Sequence, residues 1–319
     1  MKKILLSASV ILMLFACQNE ATDATAPTTS AIAHRGCASQ EVLAEQLAAD
    51  PTLAIRMNQI EAFTQKAQLS NSRLVNGKIV IPVVVNVLYK TAAENISDAQ
   101  IQSQIAVLNK DFTATNSDFG SVPALFSGVA ANVDITFELV SIIRKSTTKT
   151  SWGTRDAMKK SKQGGINPTS PATTLNLWVC TIGGGILGYA QFPGGSSATD
   201  GVVCDSKYVG VTSNTGGAYP YNLGRTASHE VGHWMNLRHI WGDATCGSDL
   251  VSDTPTHNTA NYGVPVYPHL STCPGTPVEM TMNYMDYTDD RGMYMFTLGQ
   301  KSRMSALFVS GGARAGFGI

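Results

Sequence analysis

The chain carries no excess charge of either sign. Lysine plus arginine and aspartate plus glutamate number 23 each, for a formal net charge of zero. Nothing in that balance favours nucleic acid or an anionic membrane surface as partner. Charge is sparse altogether, at 14% of residues, while glycine is frequent at 29 copies. Such a mix suits a compact, loop-rich extracellular protein better than a disordered one. Internal repeats are lacking. So, past the N-terminus, is any apolar run long enough to span a bilayer: "IVIPVVVNVL" is short, β-branched and broken by Pro82, and reads as a strand. Histidine is rare, with six copies. Three of them fall between His229 and His239, which makes that stretch the place to look for chemistry.

At the N-terminus, "MKKILLSASVILMLFACQNE" has two lysines, an apolar core from Ile4 to Ala16, and then Cys17. This is a secretory signal over residues 1–16, too short for a comfortable transmembrane span. Leu14-Phe15-Ala16-Cys17 resembles a bacterial lipobox, in which the cysteine is acylated and becomes the first mature residue. The competing reading is an ordinary signal with a chance cysteine. The expectation is an exported lipoprotein at the cell envelope or surface, soluble apart from its anchor.

Residues 17–72 read as a tether followed by a helical pro-segment, and residues 73–319 as the catalytic domain. In the pro-segment, Leu43, Leu47, Leu53, Ile60 and Phe63 mark two amphipathic helices divided at Pro51. "LSNSRLVNGK" is an exposed linker. Strands are expected at "KIVIPVVVNVLYK", "VDITFELVSI", "LNLWVCTI" and "GVVCDSKYVG". Between the first two lies a helix capped by Ser97, with Gln100 completing a capping box and Ile101, Ile105 and Leu108 on one face. Strands flanking one long helix, followed by the histidine helix, indicate a mixed α+β fold.

In "TASHEVGHWMNLRHIWGD", His229 and His233 stand four apart and project from one helical face. They can grip one ion, with Glu230 one step round and able to reach a water held on it. Catalytic zinc needs a third ligand and an open position. His239 is the candidate, but a continued helix would carry it roughly 9 Å along the axis and onto another face. The helix must therefore stop. Asn236, which tolerates a left-handed conformation, is where the break is expected.

"HEVGHWMNLRH" resembles the extended zinc motif HExxHxxGxxH of the metzincin endopeptidases, and most of all the pappalysin family with its ulilysin-like and mirolysin-like members. Asn236 replaces the family glycine. "NYMDYTDD" resembles the family's Met-turn, which implies Met285 as an apolar floor beneath the metal and Tyr287 near the reacting centre. The resemblance covers about residues 78–308. It implies a twisted, mostly parallel mixed sheet with a backing helix and an active-site helix, followed by an irregular lower subdomain. The implied reaction is peptide-bond hydrolysis. Zinc acidifies a bound water, Glu230 takes its proton and returns it to the leaving amine, and Tyr287 hydrogen-bonds the oxyanion. "GGGILGYAQFPGG", residues 183–195, resembles the edge strand that holds an extended substrate antiparallel to the sheet. From sequence alone an ordinary glycine-flanked strand is an equal reading.

Cys37 resembles the pro-segment cysteine whose thiolate fills zinc's open position in the zymogen; a spare thiol or a disulfide partner is the alternative. Removal of the segment is expected between Ser72 and Arg73, because ulilysin-like enzymes favour arginine after the scissile bond. The resemblance implies a Cys246–Cys273 disulfide, which an exported compartment permits. A second family bridge is missing because Gly292 stands where a cysteine is expected. Arg291 in the same turn weighs against an inherited preference for basic residues. Cys180 and Cys204 read as buried thiols or a cross-strand bridge. Asp249, Asp253 and Thr254 offer oxygen ligands where the family carries structural calcium. His257 and His269 lack ligand spacing and read as structural. Two rival functions stay open on the same scaffold: a zinc hydrolase of a non-peptide substrate, and a surface binding protein with an inert metal site.

Overall fold

In the computed structural model the described residues are 35–69, 79–212 and 218–317. The expected signal peptide, Cys17 and the Ser72–Arg73 bond lie outside them. Two helices open the described chain: α1 (Ser39–Ala49) and α2 (Thr52–Leu69), separated at Pro51. Of the apolar residues expected to anchor them, only Leu53 is fully buried, together with Val42 and Ala67. These helices lie against the domain through a few side chains rather than a continuous stripe.

The main sheet is built from β1 (Ile79–Tyr89), β3 (Ile135–Ser146), β4 (Leu175–Cys180), β5 (Gly188–Ala190) and β6 (Val202–Asp205) in the order β3-β1-β4-β6-β5. All pairs are parallel except β5–β6. A strand covered on both faces must be apolar at successive positions, which is why β1 is dominated by Val and Ile, interrupted only at Pro82 and Asn86 before its Leu-Tyr end. Pro82 is tolerated because β4 pairs with β1 only from Val83 onward, and the β1–β3 register shifts just after it, between Val83 and Val84. The last expected strand is shorter than its sequence pattern, since the chain turns into a single 3-10 turn after Asp205.

The connection from β1 to β3 runs through α3 (Asp98–Phe112), whose Ile101, Ile105 and Leu108 are buried as expected. Ser97 caps it by accepting from the Gln100 amide. The reciprocal half of the capping box is not made: the Gln100 side chain donates instead to Val209 O, tying α3 to the segment after β6. Beyond α3 come α4 (Ala124–Ser127) and a small ribbon of β2 (Ala130–Ala131) with β7 (Phe296–Thr297). The active-site helix α5 (Arg225–Trp234) and α6 (Leu298–Ser305) complete the set. None of the described helices is long and apolar enough to cross a membrane.

Alternation along the strands splits the core. Leu177, Val179, Val202 and Cys204 face α3 and α5, whereas Trp178, Cys180 and Val203 face the opposite layer with Tyr189. Cys180 and Cys204 therefore lie on opposite faces and are buried free thiols, because a period of two puts them out of reach of each other.

Candidate active site

Every residue of α5 is buried, histidines and glutamate included. The helix ends at Trp234, and Asn236 takes φ 68°, the left-handed conformation that turns the chain back. That turn is held from outside: the buried Arg303 of α6 donates from Nε to Asn236 O at 2.8 Å. As a result His239 meets the two helical histidines. His233 Nε2 lies 3.2 Å from His229 Nε2 and 3.0 Å from His239 Nε2.

These separations do not suit three imidazoles by themselves. Each Nδ1 donates to a fixed acceptor: His229 to Tyr284 O at 2.7 Å, His233 to Leu237 O at 2.8 Å, and His239 to the Asp243 carboxylate. With the proton held on Nδ1, each Nε2 presents a bare lone pair toward the others. Burial, then the neighbouring imidazoles, push His229 and His233 well below the ordinary histidine value, so protonation does not relieve the repulsion. A shared cation does. A tetrahedron with metal–nitrogen bonds of ~2.05 Å has edges of about 3.3 Å, close to the observed spacing. Cys37 Sγ completes the set, and all four ligand atoms lie within 4.8 Å of one another. Three nitrogens and one soft sulfur around a buried point fit zinc.

The floor is Met285, fully buried in the turn beneath the helix. Gly232 makes room for it, since a Cβ there would stand 2.4 Å from Met285 Sδ. Trp241 stacks on His239 with ring centroids 4.3 Å apart and 6° between planes. Tyr287 packs edge-on to His239, and its hydroxyl donates to Cys37 O at 3.2 Å. Glu230 is buried, and that burial pushes its carboxyl up to about 8. Its Oε2 accepts from Cys37 Sγ at 3.4 Å and from Ser39 Oγ at 3.0 Å. Burial, then the Glu230 carboxylate, push the Cys37 thiol well up.

The pro-segment bridges to the edge of the sheet at Cys37. Leu187 N donates to Gly36 O at 2.7 Å and Ala38 N to Gly188 O at 3.1 Å, so Cys37 runs parallel to the edge strand β5. Gly188 has to be glycine, because a Cβ there would meet Glu230 Cγ and Val203 O at 2.9 Å.

Two residues upstream of Cys37, Arg35 is buried in a pocket that the sequence reading did not find. Its guanidinium donates to Asp290 Oδ1 at 2.5 Å and to Thr288 O at 3.3 Å, and lies 4.9 Å from the Tyr221 ring. Asp290 is held by the other oxygen, which accepts from Leu223 N and Arg225 N at the start of α5. Arg291 points outward, its side chain 61% exposed, while the neighbouring Asp290 carries the charge that faces the pocket. No spacing in the sequence signals which residue of "DDRG" turns inward. That depends on Asp290 capping a helix 65 residues earlier.

Cys246 and Cys273 are bonded. Asp253 accepts from Thr297 Oγ1 and Gly299 N and so caps α6, while Thr254 Oγ1 donates to Asp249. His257 is buried, taking the Met280 amide on Nε2 and facing Asp286 and Glu279 with Nδ1. His269 reaches Glu279 from the surface side.

Comparison with known proteins agrees with this geometry. The family model Peptidase M43, described as Pregnancy-associated plasma protein-A, matches residues 180–309. The extracellular metalloprotease of Pyricularia oryzae is 35% identical over 234 residues, 71% of this chain and 72% of its own. The chain belongs to the pappalysin family of metzincin peptidases. Extracellular metalloprotease 1 of Coccidioides posadasii is 36% identical, covering 67% of this chain and 70% of its own. Among solved pappalysin-type structures, a mutant promirolysin from Tannerella forsythia is 40% identical with a TM-score of 0.81, over 89% of this chain and 97% of that one. Mature mirolysin in complex with a cleaved peptide is 44% identical with a TM-score of 0.73, over 76% and 96%. This pappalysin is a zinc metalloendopeptidase, and its fold with the leading helices is that of a zymogen.

Proposed function

We infer that the protein is an exported endopeptidase that cleaves extended polypeptides on the amino side of a basic residue, and that it is held latent by its own residues 35–39. The observation that carries this is Arg35 seated on buried Asp290 beside the three-histidine cluster. Relatives named extracellular support export, and acylation at Cys17 accounts for an anchor. The domain division at residues 72 and 73 belongs to the same reading.

His229, His233 and His239 would hold zinc, which polarises the scissile carbonyl and makes water acidic enough to attack near neutral pH. Glu230 accepts the proton of the attacking water and delivers it to the departing nitrogen. Tyr287 donates to the oxygen that gains charge, much as it now donates to Cys37 O. A substrate antiparallel to β5 runs opposite to the pro-segment. Its residue after the scissile bond therefore reaches the pocket that Arg35 fills here. Arg73 has the side chain this pocket takes, which supports self-processing at Ser72–Arg73.

Latency has two anchors, the thiol among the imidazoles and the guanidinium on Asp290. Cys37→Ala should therefore raise casein hydrolysis by the unprocessed chain about tenfold, still below the processed enzyme, because Arg35 keeps its partner. N-terminal sequencing of the processed form is expected to begin at Arg73. An unchanged latent rate, or a mature start far from Arg73, would remove this account of activation.

Structural calcium at Asp249, Asp253 and Thr254 is a further part of the reading. Burial pushes Asp249 up to about 6, so its ionised form lacks stabilisation that a nearby cation would provide. Added calcium should raise the melting temperature by several degrees; a midpoint insensitive to calcium and chelator argues against it.

A further inference from the structure

Beyond the basic-residue pocket, one surface stretch stands out. From Thr259 to Pro268 the sequence "TANYGVPVYP" contains no charged residue. Its large apolar side chains are turned to solvent: Tyr262 is 45% exposed, Val264 46%, Val266 85% and Tyr267 44%. The start of the loop is fixed to the domain. Asn261 N donates to Asp286 Oδ1 at 2.8 Å, and its side-chain amide donates to both Glu279 and Asp286. Cys246 N donates to Asn258 O, and Cys246 is itself bonded to Cys273 on the far side of the loop. A loop fixed at Asn261 and Gly263 that keeps four large apolar side chains in water marks a contact surface.

Its position says what binds. Tyr262 packs against Tyr287 with ring centroids 5.9 Å apart. Asp289 N donates to Gly263 O at 2.8 Å, and Val264 lies over Gly292, where a Cβ would meet Val264 Cγ2 at 3.3 Å. The loop is thus laid directly on the turn from Tyr287 to Gly292, which supplies Thr288 O and Asp290 to the basic pocket. Tyr262 and Val264 therefore flank the turn that lines the pocket holding Arg35. A polypeptide leaving the pocket past that turn would have Tyr262 and Val264 beside it.

We propose that the loop from Thr259 to Pro268 is a subsite for the substrate residues that follow the basic one, and that it selects large apolar side chains there. The occupant is the downstream part of the substrate, which rests on the reading of the cleft given above. The preferred cleavage sequence is then a basic residue followed by large apolar ones. Charged or small polar residues at those positions gain nothing from a surface without charge.

The test uses enzyme processed from the full chain and three peptides that are identical through an arginine placed after the scissile bond. One continues with Leu-Phe, one with Ser-Asn, and one ends at the arginine amide. The expected kcat/KM is about tenfold higher for Leu-Phe than for Ser-Asn, the lower end of what a partly exposed apolar contact provides. In the combined variant Val264→Ser with Val266→Ser that ratio should fall toward one, with the arginine-amide peptide as internal reference. Equal rates on the first two peptides, or a ratio surviving in the variant, would overturn the subsite. A dimer of the processed enzyme that the double variant dissociates, with no peptide preference, would reassign the surface to a second copy of the chain. Failure to cleave any of the three, the truncated one included, would refute the underlying reading of the cleft and this inference with it.

Discussion

Glu230→Ala should keep its zinc and lose its proteolysis. The three imidazoles are oriented by Tyr284 O, Leu237 O and Asp243, none of which touches Glu230, so metal content measured on the purified variant is expected to stay near one per chain. What disappears is the buried carboxylate proposed to take a proton from the attacking water, which here accepts from the Cys37 thiol and the Ser39 hydroxyl of the pro-segment. General acid–base assistance is worth about 10²–10⁴-fold in rate, so kcat should drop by that factor. Glu230→Gln is the companion variant, since it keeps shape while removing basicity and should fall nearly as far. A metal-loaded, processed Glu230→Ala enzyme that turns over casein at close to the parent rate would end this assignment.

Asp290→Asn should abolish the preference for arginine after the scissile bond while leaving the fold standing. In the intact protein one carboxylate oxygen takes a guanidinium nitrogen in a fully buried pair, and the other accepts two backbone amides at the start of α5. Asparagine can keep one acceptor oxygen for those amides but loses the charge. Removing one partner of a buried ion pair costs roughly 3–5 kcal/mol because the remaining charge is left without compensation. The arginine-to-citrulline ratio of kcat/KM is therefore expected to fall by about 100-fold or more. Citrulline matters as the reference because it keeps the shape of arginine without its charge, so a misfolded variant lowers both rates and leaves the ratio alone. An unchanged ratio would show that Asp290 does not set the preference.

The legible parts of the site are those whose geometry is local. A four-residue spacing on a helix places His229 and His233 on one face whatever the rest of the chain does. The need for His239 to join them forces a break before it, and asparagine is the residue in that interval best suited to a left-handed turn. The structure shows the turn at Asn236 with φ 68°. Apolar runs foretold β1, β3, β4 and β6, and Ser97 foretold the start of α3. The capping box failed in its second half for a tertiary reason, because Gln100 found a better acceptor in Val209 O. The state of Cys180 and Cys204 stayed open until register was known. One position along a strand decides which face a side chain takes, and sequence does not state register.

The amino-acid order by itself determined the histidine cluster and the class of fold, because helical and strand periodicity and the demand of zinc for a third nitrogen are short-range constraints. Only the tertiary structure decided which carboxylate meets Arg35. Arg35 and Asp290 are 255 residues apart, and neither stands at a diagnostic spacing from anything. Their pairing depends on Asp290 turning inward to cap α5 while Arg291 turns out, and on the pro-segment adding itself to β5. Burying a charge is tolerated only where the whole fold supplies its partner, and that supply is not written in any one stretch of chain.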